Sequence, residues 1–75
     1  MLKFIRKIFD KYGKQHKDVL TFPTLEAARL MAFDLYTHNP EALYFEQYED
    51  KEGAIKYQVS DAHGVTILQL IFITE

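Results

Sequence analysis

The last segment of the chain, VTILQLIFIT at residues 65–74, constrains the fold more than any other stretch. In an extended conformation, apolar side chains fall on both of its faces, apart from Gln69. The two faces carry Val65, Ile67, Ile71 and Ile73 on one side and Leu68, Leu70 and Phe72 on the other. A strand that is apolar on both faces needs cover on both faces or a partner chain. We therefore expect either helices on both sides of this strand or a homodimer that forms through it.

Two shorter strands precede this segment. ALYFEQY at residues 42–48 and AIKYQVS at residues 54–60 are short alternating runs, separated by EDKEG, a hairpin loop that ends in glycine. DAHG at residues 61–64 forms a second turn before the last strand. The three runs predict an antiparallel β-meander.

Two helices are expected to pack on this sheet. In MLKFIRKIFDKYG the apolar residues fall within one broad face at 100° per residue, which predicts a helix over about residues 2–12 that ends at Gly13. The second helix is predicted over about residues 25–37. Thr24 is its N-cap, and Asn39-Pro40 is its stop signal, because a residue before proline avoids the α region.

The expected fold class is therefore α+β, a single domain of residues 1–75 with a three-stranded antiparallel meander and two packed helices. DVLTF at residues 18–22 is β-prone and is a possible extra short strand. The chain has no cysteine, which excludes a disulfide scaffold and a thiolate zinc site. No apolar run approaches the roughly 20 residues that span a bilayer, and charged residues interrupt any signal peptide, so we expect a cytoplasmic protein.

The sequence offers little for catalysis. Ser60 is the only serine and lacks a nucleophile motif such as G-x-S-x-G. His16, His38 and His63 are scattered without metal-ligand spacing. The isolated glycines cannot build a phosphate loop, and carboxylates on a solvated hairpin stay ionised. We expect no enzyme activity, no cofactor and no metal.

Charge is distributed unevenly along the chain. Residues 1–17 hold six basic residues and one acidic residue, a net charge of +5. Residues 18–75 hold three basic and ten acidic residues, a net charge of −7. Like charges on one surface cost stability through self-repulsion, and solubility is served by mixed signs. The surplus of acids therefore indicates a basic partner.

The candidate partner-binding surface combines acids, most of them from the hairpin, with two tyrosines that would anchor a partner. It consists of Glu26, Asp34, Glu41, Tyr44, Glu46, Tyr48, Glu49, Asp50, Glu52 and Asp61. Same-face carboxylates on a strand lie about 6.6 Å apart, which is near two base steps of duplex DNA. We expect this surface to bind a basic protein, most concretely a DNA-binding protein, and so to exclude DNA from it.

A short cysteine-free chain with an acidic body and no enzymatic motif resembles small phage-encoded host-takeover proteins, several of which are DNA mimics. The resemblance is one of size and charge, and no motif carries it. It implies an inhibitor that occupies the DNA-binding surface of a basic bacterial protein, such as a histone-like nucleoid protein. The basic residues of segment 1–17 depart from this pattern, since mimics are usually acidic throughout.

Two alternative functions use the basic N-terminal segment. As an amphipathic helix, it would associate with a membrane surface through its phenylalanines and isoleucines. Together with Tyr44, Tyr48 and Tyr57, it would bind nucleic acid weakly. Direct nucleic-acid binding ranks last, because the acidic hairpin that carries these tyrosines would repel phosphates.

Overall fold

The computed structural model describes residues 1–49, 51 and 53–73, and these residues form five β-strands and one α-helix. The elements are β1 (Leu2–Phe9), β2 (Gln15–Phe22), α1 (Leu25–His38), β3 (Ala42–Glu49), β4 (Ile55–Asp61) and β5 (Thr66–Phe72). All neighbouring strands pair antiparallel in a single sheet of order β2-β1-β5-β4-β3. The two edge strands, β2 and β3, are joined by α1, which therefore crosses one face of the sheet.

The fold class predicted from the sequence, α+β with a three-stranded meander and two helices, is wrong. The described chain is a five-stranded antiparallel sheet with a single helix. The segment assigned to a helix over about 2–12 forms β1 and the start of the following turn. It hydrogen-bonds to β2 on one side and to β5 on the other. A membrane association through an amphipathic N-terminal helix therefore loses its basis.

The N-terminal segment satisfied the helical pattern because its apolar residues fit two periods. Phe4, Ile5, Ile8 and Phe9 share a helical face, yet aromatic and β-branched residues also favour strands. Gly13 was equally ambiguous, because a glycine with positive φ ends a helix or closes a turn. Here its φ is +80° and it lies in the β1–β2 turn, where Asp10 Oδ1 accepts hydrogen bonds from two backbone N–H groups.

Other elements agree with the sequence. The helix predicted at about 25–37 is α1, and Thr24 Oγ1 caps it by accepting a hydrogen bond from Ala27 N at 3.1 Å. Asn39 is extended before Pro40, as the stop signal requires. The run at 18–22 belongs to β2, which lies at the sheet edge. Strands β3, β4 and β5 are consecutive neighbours, so the meander is present within the larger sheet.

The core lies between α1 and one face of the sheet. Five fully buried side chains from β1, β4 and β5 pack beneath the helix, namely Phe4, Tyr57, Val59, Leu68 and Leu70. Ala28 and Ala32 are also fully buried, and their small side chains let the helix approach the sheet closely. Phe4 is at the centre, with its ring 5.4–6.4 Å from the rings of Phe22, Tyr57 and Phe72.

An ion pair lies on the same face of the sheet as the core. Arg6 of β1 and Asp18 of β2 are register partners, and Arg6 Nε donates to Asp18 Oδ1 at 2.9 Å while Nη2 donates to Oδ2. This bidentate geometry is the favourable one for arginine and carboxylate. The hydrogen bond from Arg6 lowers the pKa of the Asp18 carboxyl. The pair therefore keeps the charged Arg6 satisfied next to the core.

The position of Phe4 predicts the effect of removing its ring. Phe4→Ala should lower the free energy of unfolding by about 3–5 kcal/mol, because a fully buried aromatic ring leaves a cavity. A chain of this size has a total stability of only about 4–11 kcal/mol, so the variant should unfold at much lower urea concentration. Val65→Ala, at a position that is 59% exposed, is the matched control and should stay within about 0.5 kcal/mol. A loss below about 1 kcal/mol at Phe4 would contradict a central β1.

Candidate functional site

The sheet face opposite α1 is left uncovered by the described residues. Side chains alternate along each strand, so two rows of register partners cross all five strands on this face. The first row is Val19, Ile5, Ile71, Lys56 and Tyr48. The second row is Lys17, Lys7, Gln69, Gln58 and Glu46. We call these ten residues, with Lys3 of β1 and Tyr44 of β3 on the same side, the open face.

The open face is basic although the chain is acidic. It carries Lys3, Lys7, Lys17 and Lys56, while Glu46 is the one acid among its described residues, which gives a net charge of +3. The whole chain has a formal net charge of −2. Three of the six basic residues of segment 1–17 contribute to this charge, since Arg6 lies on the helix side and Lys11 and Lys14 lie between β1 and β2.

Two of these lysines face each other directly. Lys7 on β1 and Lys17 on β2 are Cα partners in the antiparallel register. Like charges directly opposite each other on paired strands are destabilising by up to about 1 kcal/mol. Edge strands are often protected by lysine, which would account for Lys17 on β2, but Lys7 lies on an inner strand. The pair is a stability cost that the edge-protection role does not explain.

Aromatic side chains occupy the other end of the open face. Tyr44 and Tyr48 on the edge strand β3 are 48% and 42% exposed. The ammonium of Lys56 lies over the Tyr48 ring, 4.9 Å from its centroid. The Tyr48 hydroxyl donates to a Glu46 carboxylate oxygen, and this hydrogen bond raises the pKa of Tyr48. Tyr48 is therefore a neutral, oriented ring at neutral pH.

Amide side chains connect the two ends of the open face. Gln69 Nε2 donates to Gln58 Oε1 at 3.1 Å, and Gln58 Nε2 donates to Ser60 Oγ at 3.3 Å. Both glutamines are half-buried, and Ser60 is 3% exposed. These hydrogen bonds link the two amides in the row next to the one that contains Ile5 and Ile71. The centre of the open face is thus polar and ordered.

The structure divides the acidic residues that the sequence proposed as one surface. Tyr44, Glu46 and Tyr48 are on the open face, but Glu49 alternates to the helix side with its partner Ile55. Asp50 and Glu52 lie outside the described residues.

The two predicted acids on α1 lie in the other layer. Glu26 accepts a hydrogen bond from Arg29 at 3.1 Å, which forms an ion pair within the helix. Asp34 lies 3.4 Å from His38 Nδ1, and its backbone oxygen contacts the same ring nitrogen at 2.8 Å. Neither carboxylate shares a face with Glu46, so the helix acids cannot extend the row of the hairpin.

Glu41 and Asp61 come together at one end of the sheet. They line a depression of about 440 Å³ together with Pro40, Ala62 and His63. Asp61 Oδ1 accepts hydrogen bonds from the backbone N–H groups of His63 and Val65, both at 2.9 Å. Asp61 thus has a structural role in the β4–β5 turn in addition to its charge.

The lysines of the open face were missed by the sequence reasoning. A helix over 2–12 would have placed Lys3 and Lys7 on a solvated outer surface remote from the tyrosines. The local sequence carries no clear signal for a strand, because Ile5 lies between Lys3 and Lys7 on the open side and Arg6 lies on the helix side. Once β1 is a strand, these lysines and the tyrosines of β3 belong to the same surface.

The Lys7–Lys17 pair predicts a substitution that stabilises the fold. Lys17→Glu should raise the free energy of unfolding by about 0.2–1 kcal/mol in low salt, because it places opposite charges across the β1–β2 pair. The double variant Lys7→Glu with Lys17→Glu restores a like-charge pair and should lose that gain. Urea unfolding of Lys7→Glu, Lys17→Glu, the double variant and the original chain measures the coupling. Additive effects of the two single substitutions would show that the two positions do not interact.

Among the described residues, no cluster of three or more His, Cys, Asp or Glu side chains is placed to hold a metal ion. The single helix of the described chain is too short and too polar to cross a membrane. In comparisons with known proteins, no family model, no curated protein and no solved structure matches this chain.

Proposed function

We propose that this protein is a non-enzymatic binding module that takes a nucleic acid on the open face of its sheet. The observation that carries the proposal is the presence of four lysines and two exposed tyrosines on one uncovered face. Lysines at phosphates provide affinity, and aromatic rings provide stacking surfaces for bases. The proposed setting is the cytoplasm.

The charge of the open face favours a polyanion, such as a nucleic acid, over a polycation. A face of net charge +3 on a chain of net charge −2 creates a local potential that attracts phosphates in spite of the overall charge. Binding of phosphates would also relieve the repulsion between Lys7 and Lys17. A function in binding polyanions thus accounts for a like-charge pair that the fold alone would disfavour.

A homodimer through the open face is less well supported. In a two-fold dimer of this kind, both copies contribute the same surface. Eight lysines would then meet two glutamates within one interface, and like charges in a desolvated interface cost several kcal/mol. A partner with negative charges suits this face better than a second copy does.

A second candidate function uses the acids away from the open face. Glu41 and Asp61 line one depression, and they would contact a basic protein, most concretely a DNA-binding protein that is inhibited by mimicry of DNA. The two candidates predict effects at different acids. Glu46→Lys should strengthen binding of an oligonucleotide several-fold by removing the one acid described on the open face, and it should have little effect on binding of a basic DNA-binding protein. Glu41→Lys should weaken binding of a basic DNA-binding protein and have little effect on binding of an oligonucleotide. Titration of both ligands by fluorescence anisotropy decides between the candidates.

The proposed function predicts a salt dependence that the lysines control. For a single strand, the logarithm of the association constant falls with the logarithm of salt concentration by about 0.7 per neutralised phosphate. Lys7→Gln with Lys17→Gln should therefore weaken binding of an oligonucleotide and reduce the magnitude of the slope by about 1.4. Fluorescence anisotropy over roughly a tenfold range of salt concentration measures both the affinity and the slope.

The control for that experiment keeps the charge change and moves it off the face. Lys11→Gln with Lys51→Gln removes two positive charges from the β1–β2 and β3–β4 turns. This control should leave the slope nearly unchanged. If the control and the face variant have the same slope, the open face is not the binding surface. If the original chain binds no oligonucleotide even at low salt, the proposed function is wrong.

A further inference from the structure

We infer that the nucleic acid on the open face is single-stranded, with its bases over β3 and β4 and its phosphates over β1 and β2. This inference rests on the proposed function and specifies its ligand. It follows from the order of side chains in the row Lys17, Lys7, Gln69, Gln58 and Glu46. The row runs from two positive charges at one edge of the sheet to a negative charge at the other.

The width of the sheet separates the stacking surface on β3 from the phosphate-binding lysine on β1 by a distance that suits one nucleotide. Neighbouring strands lie about 4.8 Å apart, so β3 and β1 are about 14 Å apart. A base over Tyr48 and the extended side chain of Lys7 would together bridge that distance. The open face therefore offers a stacking surface and a phosphate contact on opposite sides of the same nucleotide.

Tyr48 is the stacking surface of this arrangement. Its ring is fixed by the hydrogen bond to Glu46 and is covered by the ammonium of Lys56, 4.9 Å from the ring centroid. A cation–π contact at an exposed site is weak compared with the stacking of a base on an aromatic ring. A base would therefore displace Lys56 from the ring.

Tyr44 offers a separate stacking position. Tyr44 and Tyr48 are four residues apart on β3, so their backbones are about 13 Å apart along the strand. A single base is too small to lie over both rings at that separation. The two tyrosines would therefore hold two different bases of an extended strand that runs along β3.

Glu46 sets the orientation of the strand. Its carboxylate lies between the two tyrosines on the open face and repels phosphates from β3. The backbone of the ligand is thereby kept toward Lys7 and Lys17. A duplex does not suit this face, because its phosphates are on the outside and its base faces are covered by their neighbours. It would leave the tyrosines unused and bring phosphates toward Glu46.

The test compares three probes of the same length, each with a fluorescent label. They are a single-stranded DNA of about twelve nucleotides, the same strand annealed to its complement, and an abasic strand with the same number of phosphates. The intact protein should bind the single strand at least about tenfold more tightly than the abasic strand, since stacking contributes to every bound base. It should also prefer the single strand to the duplex. A single-stranded RNA of the same sequence is measured in parallel, because the same chemistry would hold either strand.

Two variants of Tyr48 separate stacking from charge. Tyr48→Leu should weaken binding of the single strand about tenfold and leave binding of the abasic strand unchanged. Tyr48→Phe keeps the ring and should retain most of the affinity. Lys7→Gln with Lys17→Gln should weaken binding of both strands. Urea unfolding of each variant verifies that the fold is intact, which is expected because Tyr48 is on an edge strand and 42% exposed.

The outcomes distinguish this inference from the proposed function. Equal affinity for the single strand and the abasic strand, with loss on substitution of the lysines, would overturn the stacking arrangement and leave a phosphate-binding face. A preference for the duplex would overturn it in the same way. Absence of binding to all four probes in low salt would overturn both proposals.

Discussion

The structure depends on the insertion of β1 between β2 and β5. Through β1, a hairpin at the start of the chain and a meander at its end become one sheet of five strands. The hairpin and the meander are linked by α1, which must cross from the β2 edge to the β3 edge. A single crossing helix covers only one face, and the hydrophobic core forms there around Phe4. The uncovered opposite face is thus a direct consequence of the position of β1.

The same insertion sorts the charges of the chain by face. Within β1, Phe4 points into the core while Lys3 and Lys7 point to the other side, because side chains alternate along a strand. Pairing in register then brings Lys17 beside Lys7 and places the glutamine pair in the same row. Basic residues that are scattered in the sequence become one surface, and most of the described acids are left elsewhere. A sum of charges over halves of the chain does not reveal this separation.

Local signals in the sequence were sufficient for part of this fold. Thr24 and Asn39-Pro40 bound α1 correctly, and the alternating runs before and after the EDKEG loop are β3 and β4. The segment 2–12 was not predictable in this way, since its apolar residues fit both a helix and a strand. The pairing that decides between them joins β1 to β5, whose paired residues are 60–68 positions later in the chain. Long-range pairing of this kind leaves no mark in a local window.

The error at β1 also determined which part of the candidate site was found. Tyr44, Glu46 and Tyr48 were recognised because they lie in a strand with a clear alternating pattern. The lysines opposite them were not, because their face depends on β1. Glu26 and Asp34 were grouped with the hairpin acids, yet the layer that α1 occupies is set by topology and not by charge. Within one strand the alternation of side chains separates Glu46 from Glu49, which the grouping by charge ignored, whereas the relative faces of residues in different elements depend on topology.

The lysines of the open face have a structural role that is compatible with binding. Ile5 and Ile71 are half-buried although no described helix covers them. Lysine side chains shield apolar neighbours with their methylene groups while the ammonium stays in water. Lys7 and Lys56, adjacent to these isoleucines, thus cover the sheet and present charge at the same time. The repulsion that results is offset when phosphates bind, so occupancy of the open face by a polyanion should itself stabilise the fold.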